Sequence, residues 1–126
     1  LIDALPDLIE AIIDFLTDPE TVIELVKGAV KLVFKLIEKL PEIVKCEKVY
    51  LLLEEDSRKY WIAECKPALV HLIINEAIGY IDYYITDKKF NWLITENHHD
   101  FVQFLGDGLD VNVIKEICTV SGCERQ

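Results

Sequence analysis

A chain of 126 residues, 52% hydrophobic and 29% charged, suits one folded domain with a continuous core and excludes a disordered polymer. Its 23 acidic against 13 basic residues give a formal charge of -10. That field repels phosphate backbones, and no basic patch is interleaved with stacking aromatics, so nucleic acid is excluded as a partner; no run of about 18 uncharged apolar residues exists to span a bilayer.

From the N-terminus, Leu5, Leu8, Ile9, Ile12, Ile13 and Leu16 are spaced as one face of a helix that stops at Thr17 and Asp18. Asp18 then caps a second helix and Pro19 occupies its first position. Between Glu24 and Leu40 the apolar residues fill an arc of about 200°, and Lys27, Lys31, Lys35 and Lys39 fill the narrow remainder. These lysines read as the wet edge of a central helix, their stems covering apolar surface. Docking of an acidic partner or anionic lipid is the functional alternative. The first 24 residues carry seven acids and no base, so the first helix can lie alongside with complementary charge. The stretches LIDALPDLI (Leu1 to Ile9) and LIEKLPEIV (Leu36 to Val44) match in type but extend no further, and read as proline-kinked amphipathic turns.

Pro41 bends or breaks the central helix, and a shorter one follows to about Leu53. The run Glu54-Glu55-Asp56-Ser57 gives a turn and a new cap before a helix from Arg58 to Cys65. Pro67 begins a helix carrying Leu69, Val70, Ile73, Ile74, Ala77, Ile78, Ile81, Tyr84 and Ile85. Asp87 caps a helix through Phe90, Trp92, Leu93 and Ile94, with a restart near Thr95 or Asn97 that carries Phe101, Val102, Phe104 and Leu105. Gly106-Asp107-Gly108 ends it, and Asp110 caps a last helix through Val113, Ile114 and Ile117. No segment alternates convincingly over a strand length. The expected fold is all-α, a compact bundle of five to seven helices, with residues 1–126 forming a single domain.

Leu1 at the start, the absence of methionine and an even count of four cysteines point to a mature, secreted, extracellular chain with two disulfides. Cys46 and Cys65 lie symmetrically about the turn at Glu55 and Asp56, so a helical hairpin brings them level, and Cys118 then pairs with Cys123. Pairings of Cys46 and Cys65 with Cys118 and Cys123, in either order, remain open, since four cysteines allow three connectivities. The short paired spacings of a zinc site are absent.

Chemistry is sparse. Glu96, His98, His99 and Asp100 form the one cluster resembling metal ligands, but adjacent histidines on a helix point about 100° apart, and Glu96 with His99 alone does not make a site. His71, Asn75 and Asp82 read as a solvent stripe, with no nucleophile at a defined spacing. Phosphate-binding glycine loops are missing. The expectation is therefore no enzyme, no cofactor and no metal.

The run YIDYYITDKKFNW, Tyr80 to Trp92, is the stretch most like a binding surface. Tyr80, Tyr83, Tyr84, Phe90 and Trp92 come with Lys88 and Lys89, the aromatic and basic mixture of interface hot spots, although aromatics at helix ends also serve simply to fill the rim of a core. Three function classes follow: a secreted protein-binding module such as an inhibitor, a carrier of a lipid or other small apolar ligand between amphipathic helices, and an interface surfactant.

A small, acidic, all-helical chain with four cysteines and a C-terminal pair in CTVSGC, Cys118 to Cys123, resembles the anophensin and albicin family of secreted mosquito salivary proteins. The resemblance implies a non-enzymatic inhibitor of host plasma defence. Its partner would be a host plasma protein of the complement alternative-pathway convertase or of contact and kinin activation.

Overall fold

The computed structural model describes residues 5–17, 21–26, 36–54, 60–76, 82–96, 101–121 and 124–125. They form an antiparallel sheet with helices on both faces, which overturns the expected all-α bundle. The strands are β1 (Thr21–Val26), β2 (Val49–Glu54), β3 (Tyr60–Cys65), β4 (Asp82–Asp87), β5 (Trp92–Glu96), β6 (Phe101–Gly106) and the two-residue β7 (Glu124–Arg125). Their order across the sheet is β3-β2-β4-β5-β6-β1-β7, and every neighbouring pair is antiparallel.

Among the described residues, four helices frame this sheet: α1 (Leu5–Thr17), the short α2 (Leu40–Ile43), α3 (Val70–Glu76), entered through a 3-10 turn at Pro67–Leu69, and α4 (Val111–Ser121). Residues 36–38 are also helical, with a turn at Lys39 before Pro41 enters the first turn of α2.

On the central strands β2, β4 and β5 both faces are largely buried, and this is why their period of two was hidden. On β2, Val49, Leu51 and Leu53 pack with Ile85, Trp92, Ile94, Val102 and Phe104 beneath α2, α3 and α4, which contribute Leu40, Ile43, Val70 and Ile114. Tyr50 and Leu52 point the other way and join Leu93 and Leu105 beneath Leu8 and Ile12 of α1. A strand covered on both sides has no reason to alternate apolar with polar residues, so Leu51-Leu52-Leu53 reads equally well as one side of a helix. Each such side chain taken fully from water stabilises the fold by about 1.5–3 kcal/mol, enough to override local helix propensity.

The helix expected from Asp18 to Leu40 contains strand β1, and Lys27, Lys31 and Lys35 lie outside the described residues. Those expected to reach Leu53, to span Arg58 to Cys65 and to run through Ile94 and Leu105 are β2, β3, β5 and β6. The Pro67 helix is described as far as Glu76; Ala77, Ile78 and Ile81 lie outside the described residues, and Tyr84 and Ile85 belong to β4. By contrast α1 occupies the expected span, and Asp110 caps α4 through its Oδ1, which accepts from the Asn112 and Val113 amides at 3.1 and 3.2 Å. Gly106 and Gly108 take the expected positive φ, 88° and 97°, but they close strand β6 where the end of a helix was expected.

The Cys46 to Cys65 disulfide is overturned as well: both are free, half-buried thiols. A hairpin does form between β2 and β3, but its register sets Val49 opposite Cys65, with Cys46 already beyond the ladder. For this pair, the disulfide argument for an oxidising compartment is lost. Of the second expected bridge, Cys118 is in α4 and Cys123 lies outside the described residues. Among the described residues no helix is long and apolar enough to cross a membrane.

Candidate functional site

Strands β2 and β4 are adjacent and pair Val49 with Asp87. The chain entering β2 and the turn leaving β4 therefore rise side by side at one end of the sheet. Between them lies an open cleft of about 550 Å³, lined by Lys45, Cys46, Glu47, Lys48, Asp87, Lys88, Lys89 and Asn91.

Each wall has a local cause. On the first side, α2 stops at Ile43, Val44 bridges to Leu109 and the Ile43 carbonyl accepts the Asp110 amide at 2.8 Å, so Lys45 emerges from an anchored point. On the second, the Asp87 carbonyl accepts the Phe90 amide at 3.2 Å, closing a turn with Lys88 and Lys89 exposed at its centre. Phe90 adopts φ 58°, a left-handed conformation unusual for a bulky residue. Its ring lies 6.2 Å from that of Tyr50, centroid to centroid, in a tilted packing.

Asp87 is the fixed point of the cleft. It is only 8% exposed, and its two carboxylate oxygens accept the Asn91 backbone amide and the Asn91 side-chain amide. Burial and, secondarily, the Asp87 charge push the Cys46 thiol up from its ordinary value of 9.0, so the thiol stays protonated and is a poor nucleophile at neutral pH. Burial alone pushes Cys65 in the same direction.

Four lysines around one cleft stand out in a chain of formal charge -10. Lys88 and Lys48 approach Glu64 of β3, at 3.0 and 3.9 Å. The Lys88 hydrogen bond and charge, with Lys48 adding less, hold the Glu64 carboxyl below the usual glutamate range, and Glu64 in turn raises Lys88. Lys45 and Lys89 make no ion pair among the described residues. With Glu47 and Asp87 as the acids of the lining, the cleft is locally cationic, and it can attract carboxylates over distances of about a Debye length, roughly 8–10 Å.

The aromatic run is dispersed by the strand geometry. Tyr83 and Trp92 are buried at 6% and 3% exposure in the core beneath α2, α3 and α4. Tyr84 points to the opposite face, where its hydroxyl donates to Glu54 at 3.1 Å, and Phe90 is half-buried beside Tyr50. Tyr80 lies outside the described residues. Of the described members of this group, Lys88 and Lys89 alone stand exposed, and the structure joins them to Lys45 and Lys48. That pairing was hidden because it depends on the β2–β4 register; the signal available was the KCEK stretch, Lys45 to Lys48.

Of the residues weighed as ligands or acid-base groups, Glu96 is in β5, His71 and Asn75 are in α3 and Asp82 is in β4, while His98, His99 and Asp100 lie outside the described residues. The His71 Nδ1 atom is buried without a hydrogen-bond partner among the described residues. No group of three or more His, Cys, Asp or Glu side chains is placed to hold a metal among the described residues.

A family model described as a family of unknown function (DUF6756) matches residues 14–116. No curated protein and no solved structure matches the chain.

Proposed function

This chain belongs to the family of unknown function DUF6756, and on that premise we propose that it is a non-enzymatic protein-binding module whose cleft between Lys45 and Asn91 engages an acidic partner. One observation carries the reading: Lys45, Lys48, Lys88 and Lys89 gather around one cleft of a protein that is otherwise strongly acidic. Its lining supports binding over catalysis, since Cys46 is held protonated and Asp87 is engaged at both oxygens by Asn91. Lysines at such a rim contribute chiefly to encounter rate and partner selection, so binding weakens with added salt.

Amide resonances followed by NMR during titration with a polyglutamate peptide at low ionic strength test this. The expected shifts cluster at Lys45 to Lys48 and Asp87 to Asn91, and fade as salt is raised. Absence of shifts, or shifts confined to other parts of the sheet, would remove the reading.

A further inference from the structure

Glu64 sits on β3, and β2 lies between that strand and β4. Lys88, the first residue after β4, therefore spans the width of β2 to meet the Glu64 Oε1 at 3.0 Å, while Lys48 approaches Oε2 at 3.9 Å. The Glu64 side chain is 28% exposed, against 49% and 50% for Lys48 and Lys88. The protein thus already holds one carboxylate between two of the four lysines that line its cleft.

We propose that Glu64 is an internal competitor for the cleft, and that the ligand is an acidic protein segment whose carboxylates replace Glu64 on Lys48 and Lys88 while meeting Lys45 and Lys89. The inference rests on the functional reading above and adds the chemistry and regulation of the site. Glu64 shows which anion these two ammonium groups accept. Among the described residues the lining has no arginine to grip a phosphate with two parallel bonds, and Glu47 and Asp87 would repel a compact dianion. Separated carboxylates along a peptide suit dispersed point charges better. Exposed ion pairs are weak, so Glu64 tunes the affinity of the cleft without closing it.

The test measures anisotropy of a fluorescein-labelled polyglutamate peptide with the wild-type chain, Glu64→Gln, the double variant Lys45→Ala/Lys89→Ala, and Glu116→Gln. Glu116 is an exposed residue of α4, so its variant matches the change in net charge. Circular dichroism establishes that each variant retains the fold. Glu64→Gln is expected to bind about two- to fivefold more tightly, in keeping with the strength of an exposed pair, and Glu116→Gln to bind as wild type. The double lysine variant is expected to bind several-fold more weakly. An unchanged double variant overturns the cleft itself, and the functional reading with it. A weakened double variant beside a Glu64→Gln protein that binds no better than Glu116→Gln overturns the competitor role and leaves the cleft standing. Displacement of the peptide by inorganic phosphate at a concentration at which acetate has no effect overturns the carboxylate assignment.

Discussion

Asn91 holds the buried Asp87 at both carboxylate oxygens, its backbone amide on Oδ1 and its side-chain amide on Oδ2, each at 2.7 Å. The two residues bracket the Lys88-Lys89 turn, so this clamp sets the height at which both lysines stand over the cleft. A buried carboxylate that loses a donor keeps its desolvation cost.

Replacing Asn91 by Ala leaves the backbone donor and removes the side-chain one. The expected loss is about 1–3 kcal/mol of stability, read from urea unfolding. The cost should nearly vanish in the background of Asp87→Ala, where no buried charge remains to be satisfied. Additive losses in the two single variants and the double would show that the residues act independently and would defeat the clamp.

The clamp also shows what sequence reading reaches and where it stops. The end of α1 at Thr17, the cap at Asp110 and the breaks at Pro67 and Gly106-Asp107-Gly108 were legible because each depends on a few neighbouring residues. Strands β2, β4 and β5 were not, because residues such as Leu51 and Leu52, or Ile94 and Thr95, are buried on opposite faces and erase the alternation. Once the strands are taken for helices, Tyr83 and Trp92 become surface candidates and Lys45 never meets Lys89. Half of the lysine set was visible in the KKF stretch, Lys88 to Phe90; the other half required the pairing of Val49 with Asp87.

Among the described residues, three buried or half-buried acids weaken the fold at alkaline pH. Cys46 and Cys65 are raised above 9.0 by burial, Cys46 also by Asp87. Tyr83 is raised well above 10.0 by burial and then by Glu96, which it faces across the β4–β5 ladder without a hydrogen bond of good geometry. In each case the folded state keeps its proton to higher pH than the unfolded state does. Their stabilising contribution is therefore complete below pH 9 and is lost as pH rises beyond it, first through the thiols and then through Tyr83. Urea midpoints should hold level from these groups between pH 7 and 8.5 and fall from about pH 9 upward. Tyr83→Phe should flatten the part of that fall above pH 10. A decline of equal slope in Tyr83→Phe would show that the phenol is not the group responsible.

The same shifts predict slow thiol chemistry. A raised thiol carries less thiolate at pH 8, and both cysteines are only partly exposed, so a disulfide reagent should modify Cys46 and Cys65 more slowly in the native chain than in urea. Removing the Asp87 charge by Asp87→Asn should speed Cys46 relative to Cys65, whose shift has no Asp87 contribution. Mass spectrometry of the labelled peptides distinguishes the two sites. Equal acceleration at both would point to general loosening and against an electrostatic effect on Cys46.

Phe90 combines two opposed energies that two substitutions can separate. Its φ of 58° is costly for any side chain, while its ring packs beside Tyr50 beneath α1. Phe90→Ala discards the ring and retains the backbone strain, and should cost about 2 kcal/mol, less than a fully buried phenylalanine because the site is half-exposed. Phe90→Gly discards the ring too but relieves about 1–2 kcal/mol of left-handed strain, offset in part by the extra freedom glycine gives the unfolded chain. The glycine variant should therefore be at least as stable as the alanine variant, by up to about 1 kcal/mol, although glycine is the poorer choice in an ordinary loop. Urea unfolding of the two proteins side by side decides the matter. An alanine variant more stable by half a kcal/mol or more would mean that the turn relaxes to negative φ once the ring is gone, and that the Tyr50 contact imposes the conformation of the Lys88-Lys89 turn.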